Sequence, residues 1–407
     1  MPADPNADPR AAANAQALAR ILAAEPVLAG ITTAGDAMGL AEGELGHAGA
    51  PFPSPEAIPH LVLNALAGAA VHEGWVGTVP EARAWIRDGR IRLRANHDLG
   101  TVSPMAGVVR PSQRVMRVEN RAGPGVTFAT LAESGRRALR FGVYDAGAAE
   151  GLAHIDDVVA PALDRALPEG GLPVLPMVAD GVAQGDDVHQ RNIGGMAALV
   201  RALPDLDPAV RSWLFANPQH FLNYAMAAAK LCLDQADGVA GSSLVTALTR
   251  NGTSCAIRVA GTGKRWFEAP ATVPVGGFFP PFTLADAQAD LGDSAIVEAY
   301  GLGGAIAHAA PEIARTMGRA WSEAQEDGRA MRALYRGRHP LIAPALCGAD
   351  GVGVGLDVAL VAAAGRPPRI HTGIGHQDGA TGWIGVGVAR APLACFESAL
   401  EALGTVR

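Results

Sequence analysis

Lysine is nearly absent from this chain. Of its 33 basic residues only Lys230 and Lys264 are lysine. Charged residues make up 18% and aromatics 5%, against 49% hydrophobic residues. So little charge with so much apolar content excludes a disordered chain. A net charge of −7 leaves no basic excess of the kind a nucleic-acid partner needs. The four cysteines, Cys232, Cys255, Cys347 and Cys395, form no CxxC pair and no regular spacing. No disulfide framework is expected, and buried thiols in a reducing cytoplasm are the default. No run of eighteen residues is both apolar and free of charge, so no membrane span is expected. The start, MPADPNADPR, places Asp and Pro where a secretory signal needs basic and then apolar residues.

The common catalytic motifs are missing too. RVAGTGKR approaches a P-loop, but Arg258 replaces its first Gly and Arg265 its Ser/Thr. Gly301-Leu302-Gly303 lacks the third Gly of a dinucleotide fingerprint, and no GxSxG elbow occurs. His72-Glu73 is not followed by the second His of a zincin.

What is abundant is Gly, 50 of 407 residues, set between short apolar runs. The length predicts two or three domains. Residues 1–20 read as a flexible tail, 21–184 as an N-terminal α/β domain, 185–238 as a helical domain and 239–407 as a C-terminal α/β domain with Gly-rich loops. Helices are predicted from about residue 16, over LVLNALAGAAVHEG and PEARAWIRDG, over GLAHIDDVVAPALDRALPEGG, and throughout 186–238. RIRLRANHD reads as a strand, GVVRPSQRVMRVENR as strand, turn and strand, and LRFGVY and LPVLPMVADGV as strands. SSLVTALTRNGTSCAIRVAGTG reads as helix, turn and strand, and SAIVEAYGLGGAIAHAAPEIARTMG as one tightly packed helix. Helices and strands alternate without a βαβ rhythm, which predicts an α+β, multidomain, mixed α/β protein.

Polar residues beside Gly mark candidate sites. Asn96-His97-Asp98-Leu99-Gly100 ends a strand, and His97 there can titrate near neutrality. Glu119-Asn120-Arg121 reads as a solvated strand end. Gly185-Asp186-Asp187-Val188-His189-Gln190-Arg191-Asn192 opens the helical region. Its aspartates can simply cap a helix, yet Asp186 and His189 would share one helical face. Ser242-Ser243, Arg250-Asn251-Gly252, Arg258 and Gly261-Thr262-Gly263-Lys264 suit a small anion. Asp293 and Ser294 start a helix, with Glu298 following. His371-Thr372-Gly373-Ile374-Gly375-His376 opens a Gly-rich loop. His47, His60, His154 and His308 read as structural. No metal site and no cofactor are expected.

Together, ANHDLGTVSPMAGVVRPSQRVMRVEN, GDDVHQRN, HFLNYAMAAAK, GSSLVTALTRNGTSCAIRVAGTGKRWFEAPA, DLGDSAIVEAYGLGGAIAHAAP and HTGIGHQDGATGWIGVGVARAPLACF resemble one bacterial family. It includes the large subunit of oxamate carbamoyltransferase, found with allantoin catabolism. The likeness runs from about residue 25 to 400. It implies a mixed α/β fold with a small inserted helical domain, and chemistry on a carbamoyl group. Carbamoyl phosphate or phosphate and a small amide or ureido compound are the implied substrates. A homo-oligomer or hetero-complex is expected. Trp383 stands where members commonly have Gln, which implies an altered ligand loop.

Carbamoyl transfer needs a base, an anion clamp and an oxyanion stabiliser. His189 or His97 is the expected base, oriented by Asp186. Arg250, Arg258, Ser242 and Ser243 are the expected clamp. Asn251 and the backbone of Gly261 to Gly263 are expected to polarise the carbonyl. Asn96, Asp293, Ser294, His371 and Gly373 complete the expected binding set. A hydrolase of a carbamoylated or cyclic amide, and a non-catalytic subunit of a multi-subunit carbamoyltransferase, are the alternatives.

Overall fold

The computed structural model describes residues 9–133, 135–342 and 351–405. Cys347 lies outside them.

The helix Phe221–Asp234 organises the chain. Its sequence, FLNYAMAAAKLCLD, is apolar on every face, and residues 221–233 are all buried. A helix apolar all round needs cover on all sides. One cover is a five-stranded sheet in the order Thr101–Val102, Val126–Thr130, Arg114–Asn120, Pro26–Thr33, Leu172–Pro173. Its long central pair is antiparallel, with Ile31 opposite Met116 and a bulge between Leu28 and Gly30. The helix also contacts the second sheet, ordered Phe267–Pro270, Ser254–Val259, Val245–Asn251, Leu291–Gly292. A third sheet joins Val275–Phe278, Trp383–Arg390 and Arg369–Gly375. One hydrophobic cluster runs from Ala17 to Leu403, and helices of the 185–238 segment share it. The fold is thus mixed α+β.

Several elements differ from the sequence expectation. The first helix starts at Pro9 and runs to Ala23, well before residue 16. Val245–Asn251 is a strand, not a helix. All seven of its residues are buried, so a continuous apolar run carried no period, and β-branched Val245, Thr246 and Thr249 decide for the strand. In LPVLPMVADGV only Leu172–Pro173 is a strand, and the helix Val174–Ala183 takes the rest. LRFGVY is not a strand; Leu139–Phe141 is a single 3₁₀ turn closed by Gly142 at φ 87°. The proposed long helix after Asp293 is broken into short pieces, among them Ile296–Ala299 and Pro311–Thr316. Gly301 and Gly303, at φ 97° and 57°, interrupt it.

No helix among the described residues is long and apolar enough to cross a membrane. Cys232, Cys255 and Cys395 are free and buried, and burial raises the Cys232 thiol to about 12.

Buried histidines set a pH dependence, His97 among them. Burial pushes His47, His220 and His339 down to about 4. An unfolded His titrates near 6.5. Between those values the unfolded chain binds protons that the folded chain does not. Stability is therefore complete above pH 6.5 and is lost as pH falls toward 4. Each His costs about 1.4 kcal/mol per pH unit below 6.5, so the three together cost about 4 kcal/mol by pH 5.5. Asp186, Asp237 and Asp293, raised chiefly by burial, offset part of this at the acid end. Urea unfolding at pH 7.0 and 5.5 should show the acid-side loss; equal midpoints would refute it.

Candidate functional site

The segment after Gly185 is a tight loop rather than the first turn of a helix; the helix itself spans Ile193–Ala202. Asp186 caps that helix from outside, accepting from Ile193 N at 3.1 Å and Gly195 N at 2.8 Å. Asp187 Oδ1 accepts from the backbone N–H of His189, Gln190 and Arg191 at 3.1, 2.9 and 2.7 Å. The loop holds Val188 at φ 61°, an uncommon conformation for a β-branched residue. Such strain is maintained only where the surroundings over-determine it.

This loop delivers His189. Its Nδ1 lies 2.8 and 3.0 Å from the two oxygens of Glu298. Glu298 is fully buried and also accepts from Gly304 N at 2.9 Å and His371 N at 3.1 Å. His371 Nδ1 in turn lies 2.6 Å from Asp187 Oδ2. Each carboxylate therefore takes one imidazole and the other histidine's backbone N–H. Burial alone would raise the Asp187 carboxyl, but the His371 hydrogen bond and charge and the Arg191 N–H outweigh it. Gly303 is required beside this knot. A Cβ there would stand 2.0 Å from Glu298 Oε1 and 3.2 Å from His189 Nδ1.

With Nδ1 taken, Nε2 is the nitrogen His189 has left for the cavity its ring lines. That cavity is about 440 Å³, within the range of small-molecule sites. Glu133, Arg136 and Arg140 line it from a loop after the first sheet. The Arg140 guanidinium has no side-chain hydrogen bond among the described residues. Burial depresses its pKa, with Glu133 opposing. Gln219 and neutral His220 line a further wall, and Gln219 Nε2 donates to His189 O at 2.6 Å. Trp383 closes the cavity, stacked on Phe141 at 5.8 Å and edge-on to Phe279 at 5.1 Å. Arg136 lies over Phe279, 3.9 Å from its centroid. Met105, at φ 56°, and Ser294 line the cavity where two chain segments cross. A Cβ at Gly292 would be 2.6 Å from Met105 N, so Gly permits that crossing.

Of the expected site residues, His189, Ser294 and Gly373 line this cavity, and His371 stands behind His189. The others lie elsewhere. Asp186 bonds Arg191, Ile193 and Gly195, and Glu298 orients the His189 ring. Arg250 is spent inside the protein, on Asp290, the Gly292 carbonyl and the Thr372 hydroxyl. Ser242 Oγ donates to Asn14 Oδ1, and Asn14 donates to Ser243 Oγ, which ties the first helix down. A Cβ at Gly261 would meet Ser242 O at 2.6 Å, and Gly263 simply turns the loop at φ 62°. Asn251 organises its own hairpin turn through Thr253 N and Ser254 N. Asn96 donates to Asp293 at 2.8 Å, and Asp293 is a buried hub that also accepts from Thr249, Gly49 and Ser103. His97 and Arg258 line a different cavity. The clamp expected at Arg250 and Arg258 is thus not one site, because ion pairing inside the fold consumes Arg250.

Sequence reading missed Glu133, Arg136, Arg140, Gln219 and His220. The signal available was AESGRRALRF, where arginines on a Gly-flanked loop lack any acidic neighbour but Glu133. Among the described residues no group of three or more His, Cys, Asp or Glu is placed to hold a metal ion.

The family profile described as oxamate carbamoyltransferase subunit AllG matches residues 91–294. Oxamate carbamoyltransferase subunit AllG of Escherichia coli K12 is 37% identical over 408 aligned residues, covering 97% of each chain. The uncharacterized protein YahG of the same organism is 34% identical, covering 97% of this chain and 86% of that one. A crystal structure of a conserved protein of unknown function from Enterococcus faecalis V583 superposes with a TM-score of 0.92. It is 32% identical, with 98% of each chain covered.

Proposed function

From the premise that this chain belongs to the family of oxamate carbamoyltransferase AllG subunits, we propose that it carries the carbamoyl-transfer site itself. The observation behind this is the carboxylate-fixed His189 lining a cavity that the Arg140 guanidinium, without a side-chain hydrogen bond among the described residues, lines as well. Carbamoyl phosphate brings a dianion, and an amide such as oxamate brings a carboxylate. Arg140, with Arg136 at the rim, binds one of these oxyanions. His189 Nε2 takes the proton from the amide nitrogen as that nitrogen attacks the carbamoyl carbon. The new C–N bond forms, the bond from carbon to the phosphate oxygen breaks, and phosphate leaves. Ser294 and Arg140, which line the same cavity, steady the tetrahedral oxyanion between these events. Trp383 and Phe141 offer a flat wall to a planar amide.

A second reading is favoured by the relative's name, which is that of a subunit. In that reading this chain binds one substrate and a partner chain completes the site. Calorimetric titration with carbamoyl phosphate, phosphate and oxamate tests the proposal. Arg140→Ala should weaken binding of the anion it clamps by roughly 10–100-fold. Unchanged binding in Arg140→Ala would sink the clamp. Turnover by the isolated chain separates the catalytic reading from the partner-completed one.

A further inference from the structure

The chain's two lysines, Lys230 and Lys264, line one cavity. It measures about 400 Å³ and is separate from the cavity of His189. Its other lining groups include His97, Asp98, Asp234, Asp237, Thr246 and Arg258. Lys230 is buried on the central helix, one turn before Asp234, and donates to both its oxygens at 3.1 and 2.8 Å. Lys264 is exposed on the rim, and no carboxylate among the described residues pairs with it. Arg258 is only 6% exposed, and its Cζ sits 3.9 Å from the Trp266 ring centroid. One of its terminal nitrogens donates to Asp98.

Among the described residues, four buried polar atoms of this lining have no hydrogen-bond partner, Arg258 Nε, His97 Nε2, Thr246 Oγ1 and Asp237 Oδ1, and Trp266 Nε1 behind Arg258 has none either. Nε2 of His97 is nearest to Asp293 Oδ1, at 3.6 Å. Each buried donor left unmade costs on the order of 1–3 kcal/mol, more for a charged group. Arg258 Nε and His97 Nε2 are the two of these that an oxyanion in the cavity would satisfy. Burial, with Lys230 and Arg258 nearby, holds His97 well below the usual imidazole range, so the ring is neutral and its N–H remains available.

We propose that this cavity is a second ligand site, one that takes a small oxyanion, carboxylate or phosphate, on Arg258 and Lys264 with an N–H from His97. The site also has a route to the first. His97 faces Asp293, and the next residue, Ser294, lines the His189 cavity. A ligand that draws His97 toward itself alters the contact with Asp293 and so acts on the segment that carries Ser294.

Titration of the full chain with inorganic phosphate and with acetate, followed by calorimetry, tests this. The Arg140→Ala background isolates the second site, and Lys264→Ala and Arg258→Gln are made in it. Lys264 is exposed, so its removal leaves the fold unburdened. Residual anion binding in Arg140→Ala, weakened at least tenfold by Lys264→Ala and by Arg258→Gln and restored by Arg258→Lys, is the expected result. Tighter phosphate than acetate would assign a phosphorylated ligand, and the reverse a carboxylate. No residual binding in Arg140→Ala, or binding indifferent to both second-site variants, overturns the proposal. Neither result bears on the first site, which is read from the Arg140 change alone.

Discussion

If His189 is the proposed base, Glu298→Gln is expected to cut carbamoyl-transfer turnover by about 10²–10⁴-fold with the fold intact. Gln has the shape of Glu, and its amide oxygen can keep the N–H groups of Gly304 and His371. Its NH₂ then takes the place of Oε2, 3.0 Å from His189 Nδ1, beside the oxygen at 2.8 Å. The carboxylate charge that steadies an imidazolium is gone, and the new donor beside Nδ1 favours the tautomer with its proton on Nε2. Nε2 is the nitrogen left for the substrate, and once protonated it cannot accept a proton from the attacking amide. His189→Gln should lose a similar factor, and the double variant little more, because the two residues act as one unit. KM should move less than threefold in each, since neither carries the anion. Circular dichroism and a thermal melt check the fold. A Glu298→Gln enzyme within threefold of wild-type turnover would remove His189 from the base role.

The dyad shows which parts of the site were legible in sequence. GDDVHQRN stood out because polar groups after a Gly cannot be satisfied by a helix alone. The loop forms there, and His189 emerges from it. Its partner Glu298 lies 109 residues away, and no local pattern joins the two. Asp186 looked like the partner because it is near in sequence, but helix capping takes it first. The central helix was legible because an unbroken apolar surface has one reading. The strand Val245–Asn251 was not, since full burial erases the period that tells strand from helix. Ser242 and Ser243 looked free because their partner, Asn14, sits in what read as a loose tail. Arg136 and Arg140 were overlooked because a 3₁₀ turn has no sequence period, and their shared cavity exists only once Trp383 folds back against Phe141.

Arg250→Met should destabilise the chain by about 3–5 kcal/mol, the largest single loss of stability expected. Arg250 and Asp290 are 1% and 2% exposed. Their pairing is bidentate, Nε to Oδ2 at 2.7 Å and Nη2 to Oδ1 at 3.1 Å. Burial alone would lower the Arg250 pKa, and the Asp290 carboxylate reverses this and holds it up. Without the guanidinium, Asp290 keeps only Thr372 Oγ1 at 2.8 Å and Leu291 N at 3.0 Å. A buried carboxylate with so little compensation is costly, and Gly292 O loses its Arg250 donor as well. Arg250→Met/Asp290→Leu should recover part of the loss, because two apolar groups leave no charge behind. Urea unfolding of the two single variants and the double variant measures the coupling. The same experiment separates two roles for Arg250. An anion clamp would lose ligand affinity and keep its stability. A buried tie loses stability, and it loosens the segments that carry Ser294 and Gly373, since Arg250 holds Gly292 and Thr372 just before them. A change under 1 kcal/mol with weakened anion binding would return Arg250 to the clamp.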